Sequence, residues 1–275
     1  MAKRKNRSTA WAKGFIVIGI LFLLLILVQW WRNRQTRFVR YNEFGIEIPV
    51  NYSIHGIDVS HHNGAIDWKE VKAMNIRGIN IQFAFIKATE GIGNTDPQFK
   101  KNWKGSKQAG MWRGAYHYFN TGKDGREQAK NFIETVGDLE DGDLPPVLDI
   151  EVTNGVAVAE LQKEAREWLD VVEEYYKVKP IIYTYVDFYR DRLGSKFDDY
   201  PFWAAHYEEK NQPRTARSWV IWQHNENGRV NGIRSEVDFN VFNGDLLDFR
   251  RLQVSVSTGQ PPEIKAAPPA PMRTR

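Results

Sequence analysis

Between His55 and Gly244 the chain alternates short β-rich runs with helical patterns, the pattern of parallel strands joined by crossovers. No other feature restricts the fold as much. The β-rich runs cover 56–60, 78–88, 114–119, 146–151, 180–185, 202–207, 219–224 and 237–242. Eight of them make a TIM-like β/α barrel the expected architecture. The clearest helix follows the fourth run, where Leu161, Ala165, Trp168, Leu169, Val172, Tyr175 and Tyr176 mark one apolar face. Weaker helical stretches cover 67–74, 97–109 and 125–136. The connections 208–218 and 225–236 are rich in Asn, Gly and charge and carry no apolar stripe. The barrel should therefore be irregular, with helices missing near its C-terminal strands.

The ends of the chain are of other kinds. Residues 14–31 carry no charge and only Gln29 as an ordinary polar residue. As a helix they would run about 27 Å, close to the thickness of a bilayer core. Trp11, Trp30 and Trp31 stand where interfacial aromatics belong, and basic residues flank both ends. The following Gln29-Trp30-Trp31-Arg32 is bulky and charged, with no small-residue cleavage site, so a retained transmembrane anchor is expected rather than a cleaved signal peptide. Five basic residues precede the span and four follow it, which leaves orientation open. The remaining segments are a basic stretch over 1–13, a connector over 32–50, the barrel over 51–251 and a Pro-rich tail over 252–275, expected to be disordered. The formal net charge of +4 is accounted for by the first 40 residues, so charge gives no support for a nucleic-acid partner. Cysteine is absent, which excludes disulfides and thiolate metal sites.

The sharpest chemical feature is Pro145-Pro146-Val147-Leu148-Asp149-Ile150-Glu151, an apolar strand ending in two carboxylates one residue apart. Strand alternation puts Asp149 and Glu151 on the same side. The C-terminal end of a barrel strand faces the active-site mouth. Two like charges held close resist ionising together, so one carboxyl can stay protonated near neutral pH. Glycosidic cleavage needs that combination, an acid for the leaving oxygen and an anion beside the developing positive charge. Asp58 and Asp238 also lie within apolar strand patterns, and their company points to one shared site. The plainer alternatives are a solvated acid pair and acids that cap local turns. Adjacent His61 and His62 diverge on an extended segment and have no partner at metal-binding spacing. Gly91-Ile92-Gly93 lacks the third glycine of a dinucleotide fingerprint, and Gly-x-Ser-x-Gly is absent. Neither a cofactor nor a metal is expected.

The string from His55-Gly56-Ile57-Asp58-Val59-Ser60 through His61-His62-Asn63-Gly64-Ala65-Ile66-Asp67-Trp68 resembles the opening motif of family 25 glycoside hydrolases, lysozymes of the N-acetylmuramidase type. The resemblance continues through Phe85-Ile86-Lys87-Ala88-Thr89-Glu90-Gly91, Gly114-Ala115-Tyr116-His117-Tyr118-Phe119, Leu148-Asp149-Ile150-Glu151, Trp203-Ala204-Ala205-His206-Tyr207 and Val237-Asp238-Phe239-Asn240-Val241-Phe242-Asn243-Gly244. Six strings in family order span residues 52 to 245. The resemblance implies an irregular β/α barrel that hydrolyses the β-1,4 bond between N-acetylmuramic acid and N-acetylglucosamine. It implies Glu151 as general acid and base, Asp149 as its ionised partner, and Asp58 and Asp238 as the rest of an acidic cluster. Tyr116, Tyr118, Tyr183, Trp203 and Trp222, on or near strand runs, are candidate sugar contacts. Asn63, where Gln is expected, and His224, where an aromatic is more usual, depart from the pattern. The expected partners are peptidoglycan strands and, through the anchor, the cytoplasmic membrane, with the barrel on its outer side. The rival readings are a barrel that binds glycan without cutting it, a hydrolase of another N-acetylated glycan such as chitin, and a scaffold recruited by its anchor.

Overall fold

The computed structural model describes residues 7–33 and 35–255. The first unit, residues 1–37, holds α1 (Arg7–Asn33), whose apolar side chains from Phe15 to Val28 are exposed all round. Within the described residues no helix is long and apolar enough to cross a membrane. The described side chains of α1 run unbroken only from Lys13 to Gln29, and those of Trp30 and Trp31, which would complete the expected span, lie outside them.

The second unit, from Phe38 onward, contains in chain order β1 (Phe38–Tyr41), β2 (Ile46–Pro49), β3 (His55–Val59), α2 (Trp68–Ala73), β4 (Asn75–Ile76), β5 (Ile79–Glu90), β6 (Asn94–Thr95) and α3 (Phe99–Gln108). There follow β7 (Trp112–Tyr118), α4 (Gly125–Val136), β8 (Val147–Asp149), α5 (Val158–Tyr176), β9 (Ile181–Tyr185), α6 (Val186–Phe188), β10 (Phe202–Ala205), β11 (Ile221–Gly228), β12 (Val237–Phe242) and α7 (Leu246–Leu252). All eight expected strands are present. They close in the order β3-β5-β7-β8-β9-β10-β11-β12 and back to β3. Seven of the eight run parallel, whereas β12 is antiparallel to both β11 and β3. An all-parallel reading is corrected there for a geometric reason. The connection 229–236 is shorter than the dozen or so residues needed to carry a chain back for a parallel return.

Crossover helices follow β3, β5, β7 and β8, and none stands between β10 and β11. Local chemistry starts two of them, since Asp67 accepts from the Lys69 and Glu70 N–H groups ahead of α2 and Asp124 from that of Glu127 in α4. On α5, Leu161, Ala165, Trp168, Leu169 and Val172 are buried against the sheet. Tyr175, expected on that face, is 49% exposed and turns its hydroxyl to Asp138 instead.

Two apolar layers result from strand alternation. Outward residues such as Ile57, Ile86, Leu148, Ile182 and Val241 pack under the helices. Phe83, Phe85, Val147, Ile181 and Trp203 form the second cluster with Phe249 and Leu252 of α7. Gly56 and Gly114 make room for the aromatic rings, because a Cβ would fall 2.4 Å from Phe83 at the first and 2.3 Å from Phe85 at the second.

Two expected boundaries shift. From residue 38 the connector is an antiparallel hairpin, and Phe44, Ile46 and Ile48 bury themselves in the outer layer. At the other end, Leu252 closes α7, and buried Val254 exchanges backbone hydrogen bonds with Gly142 and Asp143. The rest of the expected tail, 256–275, lies outside the described residues.

Candidate active site

One pocket of about 260 Å³ brings Asp58, Asp149, Glu151 and Asp238 together. Asp149 ends β8, and Glu151 lies just past it on the same side because Ile150 is buried outward. Asp58 on β3 and Asp238 on β12 are paired across the antiparallel junction, so the reversed last strand places the fourth acid. Tyr116, Tyr118, Tyr183 and Trp203 line the same pocket.

Trp222 does not. Its side chain points to the outer layer, 0% exposed, with its indole edge-on to the rings of Phe38, Tyr52 and Trp219 and its Nε1 donating to the His206 carbonyl. Alternation along β11 sends Gln223 inward in its place. Gln223 Nε2 donates to Asp58 Oδ2 at 2.8 Å, and Asn240 Nδ2 donates to the same oxygen at 2.7 Å. Trp203 Nε1 holds Asn240 Oδ1 at 2.8 Å, and the Tyr183 hydroxyl donates to Gln223 Oε1 at 2.7 Å. These residues make a polar floor that fixes one carboxylate. Trp203 and Tyr183 therefore use their polar atoms within the floor, a role different from an open sugar-stacking surface.

The floor amides were not among the sequence candidates. Their signal was nonetheless present: an amide two residues from a strand neighbour on the same face, as in Ile221 and Gln223 or Asp238 and Asn240, inside apolar runs. The same rule had selected Asp149 and Glu151. Lys87 and Glu226 also line the pocket; Lys87 Nζ pairs with Glu90 at 2.7 Å and stands 4.9 Å over the Tyr118 ring. The family departures prove structural. Asn63 joins a capping box with Ser60 and donates to Ser235 and Glu236, while His224 is buried between Trp222 and Phe239.

The acids differ in how well they are held. Burial pushes Asp58 up to about 6, with hydrogen bonds from Asn240, Gln223 and Asp238 opposing. Asp238 is pushed up to about 9 by burial, then by the charges of Asp58 and Glu226. Burial raises Asp149 well above the carboxylate range, and Glu151 and Asp58 add to the shift. Its Oδ1 is buried with no hydrogen-bond partner, and the residue is only 8% exposed. Glu151 is raised as well, chiefly by burial, against the nearby Tyr183 hydroxyl and the Lys87 charge. It is the more open of the two, at the rim of the pocket. The cluster can thus hold protons near neutral pH and give one up at its mouth, the combination acid-catalysed cleavage of an acetal requires. Away from this pocket, among the described residues, Asp124, Glu164 and Glu167 at the start of α4 and on α5 form a group of acids close to one another, engaged by capping and by Arg126 and Lys163.

The family model described as glycosyl hydrolases family 25 matches residues 57–233. The Escherichia coli K12 protein YegX is 47% identical over 203 residues, 74% of each chain. Lysozyme M1 of Streptomyces globisporus is 34% identical over 205 residues, 70% of this chain and 68% of the relative. Among solved structures, a family 25 glycosyl hydrolase from Bacillus anthracis superposes with a TM-score of 0.67 at 29% identity, covering 78% of this chain and 100% of its own.

Proposed function

The chain belongs to glycosyl hydrolase family 25 and is a glycoside hydrolase of the lysozyme type; from that premise we propose a membrane-anchored muramidase that cuts the β-1,4 bond between N-acetylmuramic acid and N-acetylglucosamine in peptidoglycan. The observation that carries the catalytic reading is the pairing of Asp149, deeply buried with a free oxygen, with the more open Glu151 at one barrel mouth. Glu151 protonates the glycosidic oxygen as the bond to the anomeric carbon breaks. Asp149 faces the positive charge that develops there as a carboxylate; burial favours its protonated form in the empty pocket, so its proton passes to solvent before the bond breaks. Water then adds to the anomeric carbon and returns its proton to Glu151. Both a direct attack by Asp149 and its support of a reactive 2-acetamido group are consistent with this placement. Asp58 and Asp238 position the cluster through the floor.

The anchor reading rests on the uncharged run 14–31 and on the apolar side chains of α1 that no part of its own helix covers. Substrate location places the barrel outside the cytoplasmic membrane. A reporter fused after Arg275 that is active only in the cytoplasm would overturn that topology.

Mass analysis of fragments released from purified peptidoglycan tests the activity. New N-acetylmuramic acid reducing ends from the wild type, absent with Glu151→Gln, are expected. Reducing ends on N-acetylglucosamine, or preferential release from chitin, would redirect the specificity. Tight binding without new ends would favour the glycan-binding reading.

A further inference from the structure

A second concavity, of about 1310 Å³, lies beside the acid pocket and shares His62 with it. It is firmly built. Ile66 and Trp68, both buried, line its base. One wall is the β11–β12 connection, tied down where the Asp67 N–H donates to the Gly232 carbonyl at 2.9 Å. The other is α3, which approaches so closely at Gly105 that a Cβ there would fall 2.7 Å from the Trp68 ring.

Lys69, Lys101, Lys104 and Arg234 line this groove, all exposed, and among the described residues none of their side chains makes an ion pair or hydrogen bond. The groove's one acid, Asp67, turns its carboxylate to the Lys69 and Glu70 N–H groups of α2. Elsewhere on the barrel, surface cations are commonly matched, as in Lys130 with Glu127, Lys163 with Glu164 and Arg214 with Glu209. Four unmatched cations over a rigid groove form a field that draws anions.

We infer that this basic groove binds the free carboxylates of the peptide stems that branch from the glycan, so that the enzyme favours stem-bearing strands over bare ones. The inference rests on the peptidoglycan reading above. Because the groove and the acid pocket meet at His62, an occupant of the groove can be part of the strand being cut. A stripped strand keeps a carboxylate only on the lactyl group, close to the sugar ring. A stem carries its carboxylates farther out, beside the pocket, where the cations stand.

The test uses the full-length protein in detergent, purified peptidoglycan, and the same material stripped of stems by an amidase. Initial rates of reducing-end release at low salt should be about tenfold higher on stem-bearing strands, the scale expected of several exposed ion pairs acting together. In the Lys101→Gln, Lys104→Gln, Arg234→Gln triple variant that ratio should fall to near one. Amidating the stem carboxylates should abolish the wild-type preference. A wild-type ratio near one, an equal loss on both substrates in the variant, or a preference that survives amidation would each overturn the inference. Co-sedimentation with the two strand preparations reads the same preference without catalysis. It decides the groove even if neither strand is cut, a result that would count against the muramidase reading alone.

Discussion

Two sets of buried ionisable groups share this barrel, one at its mouth and one in its wall, and burial drives both toward neutrality by opposite proton movements. At the mouth it raises Asp58, Asp149, Glu151 and Asp238, so the acids keep protons. In the wall it lowers His55 to about 4 and His117 and His224 to about 3, so the histidines shed them. The surroundings separate the two. His117 is enclosed by Thr89 at 2.7 Å, Gln128 at 3.2 Å and a stacked Trp168; His224 Nε2, like Asp149 Oδ1, is buried without a partner, but of these residues Asp149 alone lines the acid pocket. Neutrality in the wall serves packing; at the mouth it serves proton donation.

The strongest way to break this contrast is Glu151→Gln. It should lower turnover about 10³-fold or more while leaving the melting temperature nearly unchanged, as measured by reducing-end assay and calorimetry. Retained turnover would take Glu151 out of the donor role. Asp149→Asn should cost about 10²-fold in rate and raise stability by about 1 kcal/mol in urea unfolding, because it removes an ill-satisfied buried acid. A less stable variant would show that the wild-type carboxyl is well satisfied and that mouth and wall are alike.

pH sharpens the comparison. For the histidines the folded values lie below the unfolded 6.5, so the unfolded chain binds more protons from about pH 6.5 down to about 4 for His55 and about 3 for His117 and His224. Their contribution is full above pH 6.5 and is lost as pH falls, by a few kcal/mol. Asp58 and Asp238 have folded values raised from 3.8 to about 6 and about 9, so their contribution is full below pH 3.8 and is lost as pH rises through those values. The two windows oppose each other between about pH 3.8 and 6.5, so melting temperature should fall below that range through the histidines and above it through Asp238. His224→Phe should flatten the acid limb and Asp238→Asn the alkaline one; the reverse assignment would dissolve the distinction. Gln223→Leu removes one of the two amide donors to Asp58 and should cost about 2 kcal/mol. The smallest effect is expected from Trp222→Phe, about 1 kcal/mol of stability with KM unchanged, because that ring belongs to the wall.

Much of this was legible in the sequence where a short-range period carries the information. Short β-rich runs marked all eight barrel strands, and alternation put Asp149 and Glu151 on one face. Trp222 was a candidate only for lying on a strand run, and a period of two says that neighbours part, but not which of them enters the barrel. That choice is made by pairing with β10 and β12, whose registers lie far along the chain. The antiparallel sense of β12 was hidden for the same reason, since only the short connection 229–236 betrays it. The hairpin at 38–49 and the buried end at Leu252 and Val254 were missed because each is stabilised by distant partners, Phe239 against Phe44 and Asp143 against Val254. Lys87, Gln223 and Asn240 were readable in principle as polar residues inside apolar strands, the pattern already used for the acids.

The position of β12 between β3 and β11 also bears on biosynthesis. The last strand to leave the ribosome is the one that joins the first to the rest, so until residue 242 has emerged the nascent sheet presents two raw edges and an uncovered aromatic interior. Chaperone protection is therefore expected to matter most in the interval before the seam is filled.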